Sequence, residues 1–374
     1  MKVDSRQLRF SEPNMHVFFG YYDVSPLNSD NKLLLSTHLP IDNDQKVMKV
    51  GYYRLSDELK EFNEIGQTET WCWQQGCRLR WIDEKNLKVI YNTMINSDYG
   101  SIIYDIKKDQ VIKKIKKPIY DLNKEGTLGA SLNFSRLQRL RPGYGYSNKQ
   151  DQFINQKNPE EDGLFLVDIN ENKSNLIVSL DEISKISARE SMVGCDHYLN
   201  HIFFSPDSKY LFFFHLWSNK LNRDARLFRY EIESKQLKLI VDNTISHYAW
   251  KSLDTFLVTE FTNGTLSYNL YNIDGSRIST IGANSLNQDG HPSFSMESNF
   301  IISDTYPNYF GYQKLFKYDI ESTKLTDIAK FYTNPSFTGE KKCDLHPRLS
   351  MDNKFICVDA VDSGKREMVL LDIK

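Results

Sequence analysis

The chain has 374 residues, 47 of them Lys or Arg and 49 Asp or Glu, for a formal charge of −2. That balance supplies no basic face for a nucleic acid, and no Lys/Arg block is longer than the KKIKK at Lys113 to Lys117. No window approaches the ~18 apolar residues of a membrane span; the N-terminal MKVDSRQLRF lacks the apolar core of a secretory signal, and five scattered cysteines fit reduced thiols, so the expected compartment is the cytoplasm.

An apolar hexamer ending in a polar or acidic residue, followed by Ile or Leu, recurs seven times along the chain. The copies end at Tyr53-Arg54-Leu55, Tyr104-Asp105-Ile106, Val167-Asp168-Ile169, Tyr230-Glu231-Ile232, Tyr271-Asn272-Ile273, Tyr318-Asp319-Ile320 and Leu371-Asp372-Ile373. A spacing on the order of 40 to 60 residues belongs to propellers or solenoids. Seven copies predict an all-β fold, a seven-bladed β-propeller that closes as one domain around one axis. In chain order the blades are expected over residues 12–57, 69–108, 118–172, 194–236, 244–276, 288–322 and 343–374.

A second signature precedes five of the hexamers, a polar turn leading into an apolar run. It reads Ser25-Pro26-Leu27-Asn28, Ser205-Pro206-Asp207-Ser208-Lys209, Lys251-Ser252-Leu253-Asp254, Ser295-Met296-Glu297-Ser298-Asn299 and Ser350-Met351-Asp352-Asn353-Lys354. Each turn is expected to join the innermost strand of a blade to the next strand out. Leu8 to Ser11 is expected to supply an outer strand to the last blade.

Aligning these turns brings His201, His247, His291 and His346 to one position in four consecutive blades, half of the eight histidines in the chain. The same position is Tyr21 in the first blade and, by a weaker alignment, Cys77 and Ser131 in the next two. The register lies where the innermost strand begins, at the mouth of the central channel, so the imidazoles are expected to converge there. In Asp344-Leu345-His346, residues i and i+2 of an extended segment face the same side. With His291 they make two imidazoles and a carboxylate, a set suited to a divalent metal such as Mn or Zn; Cys343 points the other way along the strand.

Further candidates come from the segments around this register. Arg223-Asp224-Ala225-Arg226 precedes the fourth hexamer, where Arg223 or Arg226 is placed to grip a carboxylate in a bidentate way. The run from Arg136 to Tyr146 sits in an insertion within the third blade and offers Arg139 and Tyr144 at the rim of a site. Trp71-Cys72-Trp73-Gln74-Gln75-Gly76 opens the second blade, with Trp73 as a sugar face and Gln75 as an amide donor. His197 and Tyr21 complete the candidate substrate contacts.

These residues resemble the oligogalacturonate lyase group of seven-bladed propeller polysaccharide lyases and, more distantly, the propeller ulvan lyases. The resemblance spans most of the chain as architecture and is specific from about Arg223 onward, carried by His291-Pro292 and His346-Pro347, each leading into a turn. It implies Arg223 or Arg226 as the group that neutralises a uronate carboxylate, His247 as the base that takes the C5 proton, and His291 and His346 as manganese ligands. Asp344 stands where that group has a further histidine, and Lys341 or Lys342 stands near its glutamine.

The function expected from these residues is β-elimination on a uronate-containing oligosaccharide or polysaccharide, with His247, His201 and an arginine at the catalytic centre and a metal at His291, Asp344 and His346. The alternative is a non-catalytic glycan-binding or assembly propeller in bacterial surface-polysaccharide synthesis. A transferase acting on an activated sugar is the weakest reading, because no phosphate-cradling glycine loop stands out.

Overall fold

Each recurring hexamer forms the third strand of a four-stranded antiparallel sheet. The computed structural model describes residues 6–41, 46–57, 60–83, 85, 87–219, 223–294 and 299–373. Among these residues the strands form seven such sheets, a seven-bladed β-propeller. The first blade runs Met15–Phe18, Leu33–Pro40, Met48–Arg54 and Phe62–Thr68 from the axis outward, and the fourth Asp196–Phe204, Tyr210–Ser218, Arg223–Glu231 and Leu237–Val241. The fifth runs Thr244–Trp250, Thr255–Thr262, Thr265–Asn272 and Arg277–Ile281; the sixth runs Ser293–Phe294, Phe300–Asp304, Tyr312–Asp319 and Lys324–Tyr332.

The second and third strands are apolar because both of their faces meet a neighbouring blade. Tyr210–Ser218, YLFFFHLWS, is buried along its whole length except at its ends, whereas the outer strand Arg277–Ile281 is exposed up to its last residue. Aromatic rings weld adjacent blades together: Phe203 of the fourth stacks on Tyr248 of the fifth at 3.4 Å, and Phe212 meets Trp250 edge-on at 5.4 Å. Burying each such ring contributes roughly 1.5–3 kcal/mol.

The ring closes through the N-terminus, as expected. Gln7–Phe10 pairs antiparallel with Glu367–Asp372 and becomes the outermost strand of the last blade, after Arg348–Leu349 and Phe355–Ala360. On the inner side, Arg348 and Asp359 form a fully buried ion pair at 2.8 Å. The Asp359 carboxylate also accepts the N–H groups of Phe19 (3.3 Å) and Gly20 (3.2 Å), so the last blade is tied to the first.

The described polar turns join first to second strands, as at Ser205–Lys209 and Ser350–Lys354; residues 295–298 of the sixth-blade turn lie outside the described residues. The third blade departs from the alignment. Its inner strand is only Asp121–Leu122, and Ser131 lies on its second strand, Leu128–Ser131. Tyr120, immediately before the inner strand, reaches the histidine register through its hydroxyl, which accepts the His201 backbone N–H and donates to Asn200 Oδ1, each at 3.1 Å. Between the second strand and the third, Gly163–Asp168, comes the long insertion with a short helix, Phe134–Leu140, capped by Asn133 Oδ1 accepting from Arg136 N–H. Connections from second to third strands lie on the same face as the entry to the inner strands, so this insertion lies over the channel mouth.

Candidate functional site

The four aligned histidines meet around Tyr21. Ring centroids of His201 and His346 lie 5.2 and 4.7 Å from the Tyr21 ring; His247 and His291, and His291 and His346, are each 4.4 Å apart, and His201 is 6.3 Å from His247. Local backbone irregularities aim them inward. His201 and His346 have positive φ, 49° and 47°, a conformation uncommon away from glycine and asparagine. His201 and His247 each sit where the pairing of their inner strand shifts register, so a bulge turns the side chain toward the axis.

The hydrogen bonds fix which nitrogen each ring presents. Asn200 Oδ1 accepts from Gln75 Nε2 (3.0 Å) and from the Tyr120 hydroxyl (3.1 Å), so its amide donates to His201 Nε2 (3.1 Å) and leaves an unpartnered Nδ1–H on His201. His346 Nδ1 donates to the Gly20 carbonyl at 3.0 Å, leaving Nε2 as a buried lone pair without a partner. Gly20 itself has φ 138°, and a Cβ there would come within 2.9 Å of the Gln75 backbone, so only glycine lets these two segments approach.

His291 is held by Asp304, whose carboxylate accepts from its Nδ1 (2.9 Å) and its backbone N–H (2.7 Å), and also from the backbone N–H of His346 (3.1 Å). Its Nε2 is likewise buried and unpartnered. Asp344 is 1% exposed, and neither of its oxygens accepts a well-aligned hydrogen bond, although Lys342 Nζ lies 2.9 Å from Oδ2. The Lys342 ammonium also lies 4.2 Å from the Tyr306 ring, which borders His291 at 5.7 Å.

His291, Asp344 and His346 bring one donor atom each within 4.8 Å of one another. Two buried imidazole lone pairs without partners and a buried carboxylate paired with the Lys342 ammonium are a donor set that fits a divalent ion of borderline hardness. The carboxylate behind the His291 ring is the support such ligands ordinarily have. Burial disfavours the charged forms of His201 and His346 and holds both well below the ordinary histidine value; for His291 burial also acts downward, but the carboxylates of Asp304, Asp344 and Asp289 together outweigh it and raise the pKa.

His247 has a different partner. Its Nδ1 lies 3.1 Å from Asp289 Oδ1, which also accepts from Ser246 Oγ at 2.8 Å, and Thr259 Oγ1 accepts its backbone N–H at 2.8 Å. Burial lowers its pKa in spite of Asp289, so the ring is neutral at pH 7, with Nδ1–H toward Asp289 and the Nε2 lone pair free for a proton.

A roof covers the ring. Tyr144 of the insertion meets Tyr21 at 6.2 Å, and the Arg141 guanidinium stacks over Tyr144 at 3.9 Å with its Nε unpartnered. Gly143 accepts from Gln74 N–H (3.0 Å), and Gln138 Nε2 donates to Glu340 Oε2 (3.1 Å), fastening the roof to the second and last blades. Beneath it none of the four histidines is more than 3% exposed.

Other expected residues lie elsewhere. Arg226 is fully buried inside the fourth blade, donating to His215 Nδ1 (3.2 Å) and to the carbonyls of Ser187 and Ile183; His215 in turn bonds His197 Nδ1 at 2.8 Å. This polar chain holds the blade together and makes none of the ring contacts described above. Arg223 is exposed at the start of its strand, and its charge acts on Tyr198. Arg139 pairs with Asp151 (3.0 Å) and Asp196 (3.2 Å), anchoring the insertion. Trp73 stands outside the ring, stacked on Phe18 at 5.8 Å, while Gln75 reaches the ring through Asn200.

Asp289, Asp304 and Arg141 were not singled out from the sequence. A signal existed for the first two. Asp289-Gly290-His291 repeats the Asp-x-His of Asp344 to His346, and Asp304 ends FIISD as Asp359 ends FICVD and Thr259 ends TFLVT, one strand position behind the histidine register.

Neither a protein-family model nor a curated protein sequence matches the chain. Among solved structures it is similar to an oligogalacturonate lyase in complex with manganese, with a TM-score of 0.70 and 12% identity over 100% of this chain and 94% of that one. It is similar as well to oligogalacturonate lyase from Vibrio parahaemolyticus, TM-score 0.67 and 12% identity over 100% and 99%. U3-55K, at 0.53 and 5% over 98% of each chain, shares the propeller more loosely. Among the described residues no helix is long and apolar enough to cross a membrane.

Proposed function

We propose that the protein is a carbohydrate-active lyase that cleaves a uronate-containing oligosaccharide by β-elimination at the roofed channel mouth. The observation that carries this reading is the convergence of His247, kept neutral by burial and oriented by Asp289, with the ligand atoms of His291, Asp344 and His346 across 4.4 Å between rings. Abstracting a proton alpha to a carboxylate is slow because the carbanion is unstable, so a site must offset the carboxylate charge and keep a base beside it. A bound Mn or Zn at these three residues would supply that charge. His247 Nε2 takes the C5 proton, the C4–O4 bond breaks as the C4–C5 double bond forms, the departing oxygen takes a proton from water, and Asp289 stabilises the His247 imidazolium until it returns its proton to solvent. The His201 Nδ1–H and the Tyr21 hydroxyl, both without partners, are donors for sugar oxygens. Of the two arginines the sequence offers for the carboxylate, Arg226 is spent inside its blade, and Arg141 of the insertion takes that part together with Arg223.

The fold similarity to an oligogalacturonate lyase solved with manganese supports the same reaction class and metal. Five buried cysteines without disulfides support a cytoplasmic location. A second reading, a non-catalytic glycan-binding or assembly propeller, draws on the roof, which leaves the histidines no more than 3% exposed. Incubation with a panel of uronate oligosaccharides, with Mn, with Zn and with a chelator, separates the two. The lyase reading predicts an ultraviolet-absorbing unsaturated product that chelation suppresses; binding without product supports the second reading.

A further inference from the structure

Beside the histidine ring, on the same face, a cleft of about 340 Å³ opens between the first two blades and the third-blade insertion. Its floor is the partly exposed indole of Trp73, held from below by Phe18 at 5.8 Å in a stacked arrangement and edge-on by Trp71 at 5.2 Å. Trp71 is pinned by Nε1 donating to the Lys46 carbonyl at 2.6 Å. Two indoles fixed in this way present a rigid apolar face at little entropic cost, the surface on which a pyranose ring stacks.

One end of the cleft is cationic. Arg366, 1% exposed, lies 5.1 Å from the Trp73 ring, gives Nη2 to the carbonyls of Lys341 (3.1 Å) and Lys342 (2.7 Å), and leaves a buried Nε without a partner. His16 accepts the Arg366 backbone N–H at Nδ1 (3.1 Å), so the neutral ring carries its proton on Nε2. Burial, then the charges of Arg366, Lys341 and Lys365, hold His16 down at about 4, which reports a positive potential at this end. Lys341 is exposed, with Nζ 5.9 Å from the Trp73 ring. Elsewhere the wall carries Glu69 and Asn148, acceptors suited to sugar hydroxyls.

We propose that this cleft is a second carbohydrate site for an acidic sugar unit, with the sugar face on Trp73 and the carboxylate toward Lys341 and the His16 Nε2–H. The proposal rests on the function proposed above only for the acidity of the ligand and stands whether or not the histidine ring is catalytic. Gln138 and Glu340, which fasten the roof, also form part of the cleft wall, so the two sites share a boundary.

The test is a tryptophan-fluorescence titration of the full chain carrying His247→Ala, which removes turnover, with trigalacturonate as probe and maltotriose as the neutral control. The expected result is a saturable change with trigalacturonate that Trp73→Phe removes and that Lys341→Glu weakens about ten-fold, the worth of one charge-assisted contact. No saturable change, equal affinity in the Lys341→Glu variant, or equal binding of maltotriose would overturn the proposal. Failure of the lyase reading shows separately, as absence of unsaturated product from the unmutated protein whatever this titration gives.

Discussion

Asp304→Asn probes the link between the fold and the metal site. The Asp304 carboxylate accepts the His291 ring proton at 2.9 Å and the backbone N–H groups of both His291 (2.7 Å) and His346 (3.1 Å), and it is 1% exposed. It therefore sets the tautomer of one ligand and the backbone position of both. Asn keeps the volume and one acceptor oxygen but loses the charge and the second acceptor. Loss of such a supporting partner costs about 10–100-fold in metal affinity, roughly 1.4–2.7 kcal/mol. Leaving one buried N–H unpaired adds a stability loss of about 1–3 kcal/mol. Calorimetric titration with Mn and with Zn measures the first, and urea unfolding the second. Metal binding within two-fold of the unmutated protein, with the variant folded, would refute the reasoning that Asp304 orients the ligands.

Closure of the ring predicts that Asp359→Ala costs about 3–5 kcal/mol in urea unfolding, because it strands the fully buried Arg348 without its partner; a loss under about 1 kcal/mol would contradict that role. Acid should destabilise the protein. Burial holds His38 at about 3, holds His197 at about 4 and keeps His201, His215 and His346 well below the ordinary value, so these rings stay neutral when folded and take up protons when unfolded. Stability then falls as pH drops from about 6.5 toward 4, by up to about 1.4 kcal/mol per pH unit for each ring, with His291 acting in the opposite sense. Urea midpoints that do not move between about pH 7 and pH 5 would contradict this.

The sequence revealed the blades because the physics of a propeller repeats. A second or third strand pressed between neighbours on both faces must be apolar, so the second strands YLFFF, FIIS and FICVD stand out without any structure, as do the third-strand hexamers, whose polar last residue marks the turn. The histidine register followed from the same repetition. The register failed in the third blade, where an inner strand of two residues, Asp121–Leu122, leaves too little pattern to align and Ser131 was placed one strand too far in. Arg226 misled for a related reason: in a strand buried on both faces a charged residue points into the blade, where carbonyls and His215 absorb its donors. The roof and the His247–Asp289 contact join residues far apart in the chain, which residue spacing does not encode, although the doubled Asp-x-His offered a hint.

The most direct measurement of the central claim is proton exchange at C5 of a uronate oligosaccharide in heavy water, followed by NMR alongside formation of the unsaturated product. The account predicts exchange and elimination by the unmutated protein, and loss of both in His247→Ala with metal affinity retained. Elimination that survives His247→Ala, or neither exchange nor product with any uronate oligosaccharide that binds, would contradict it.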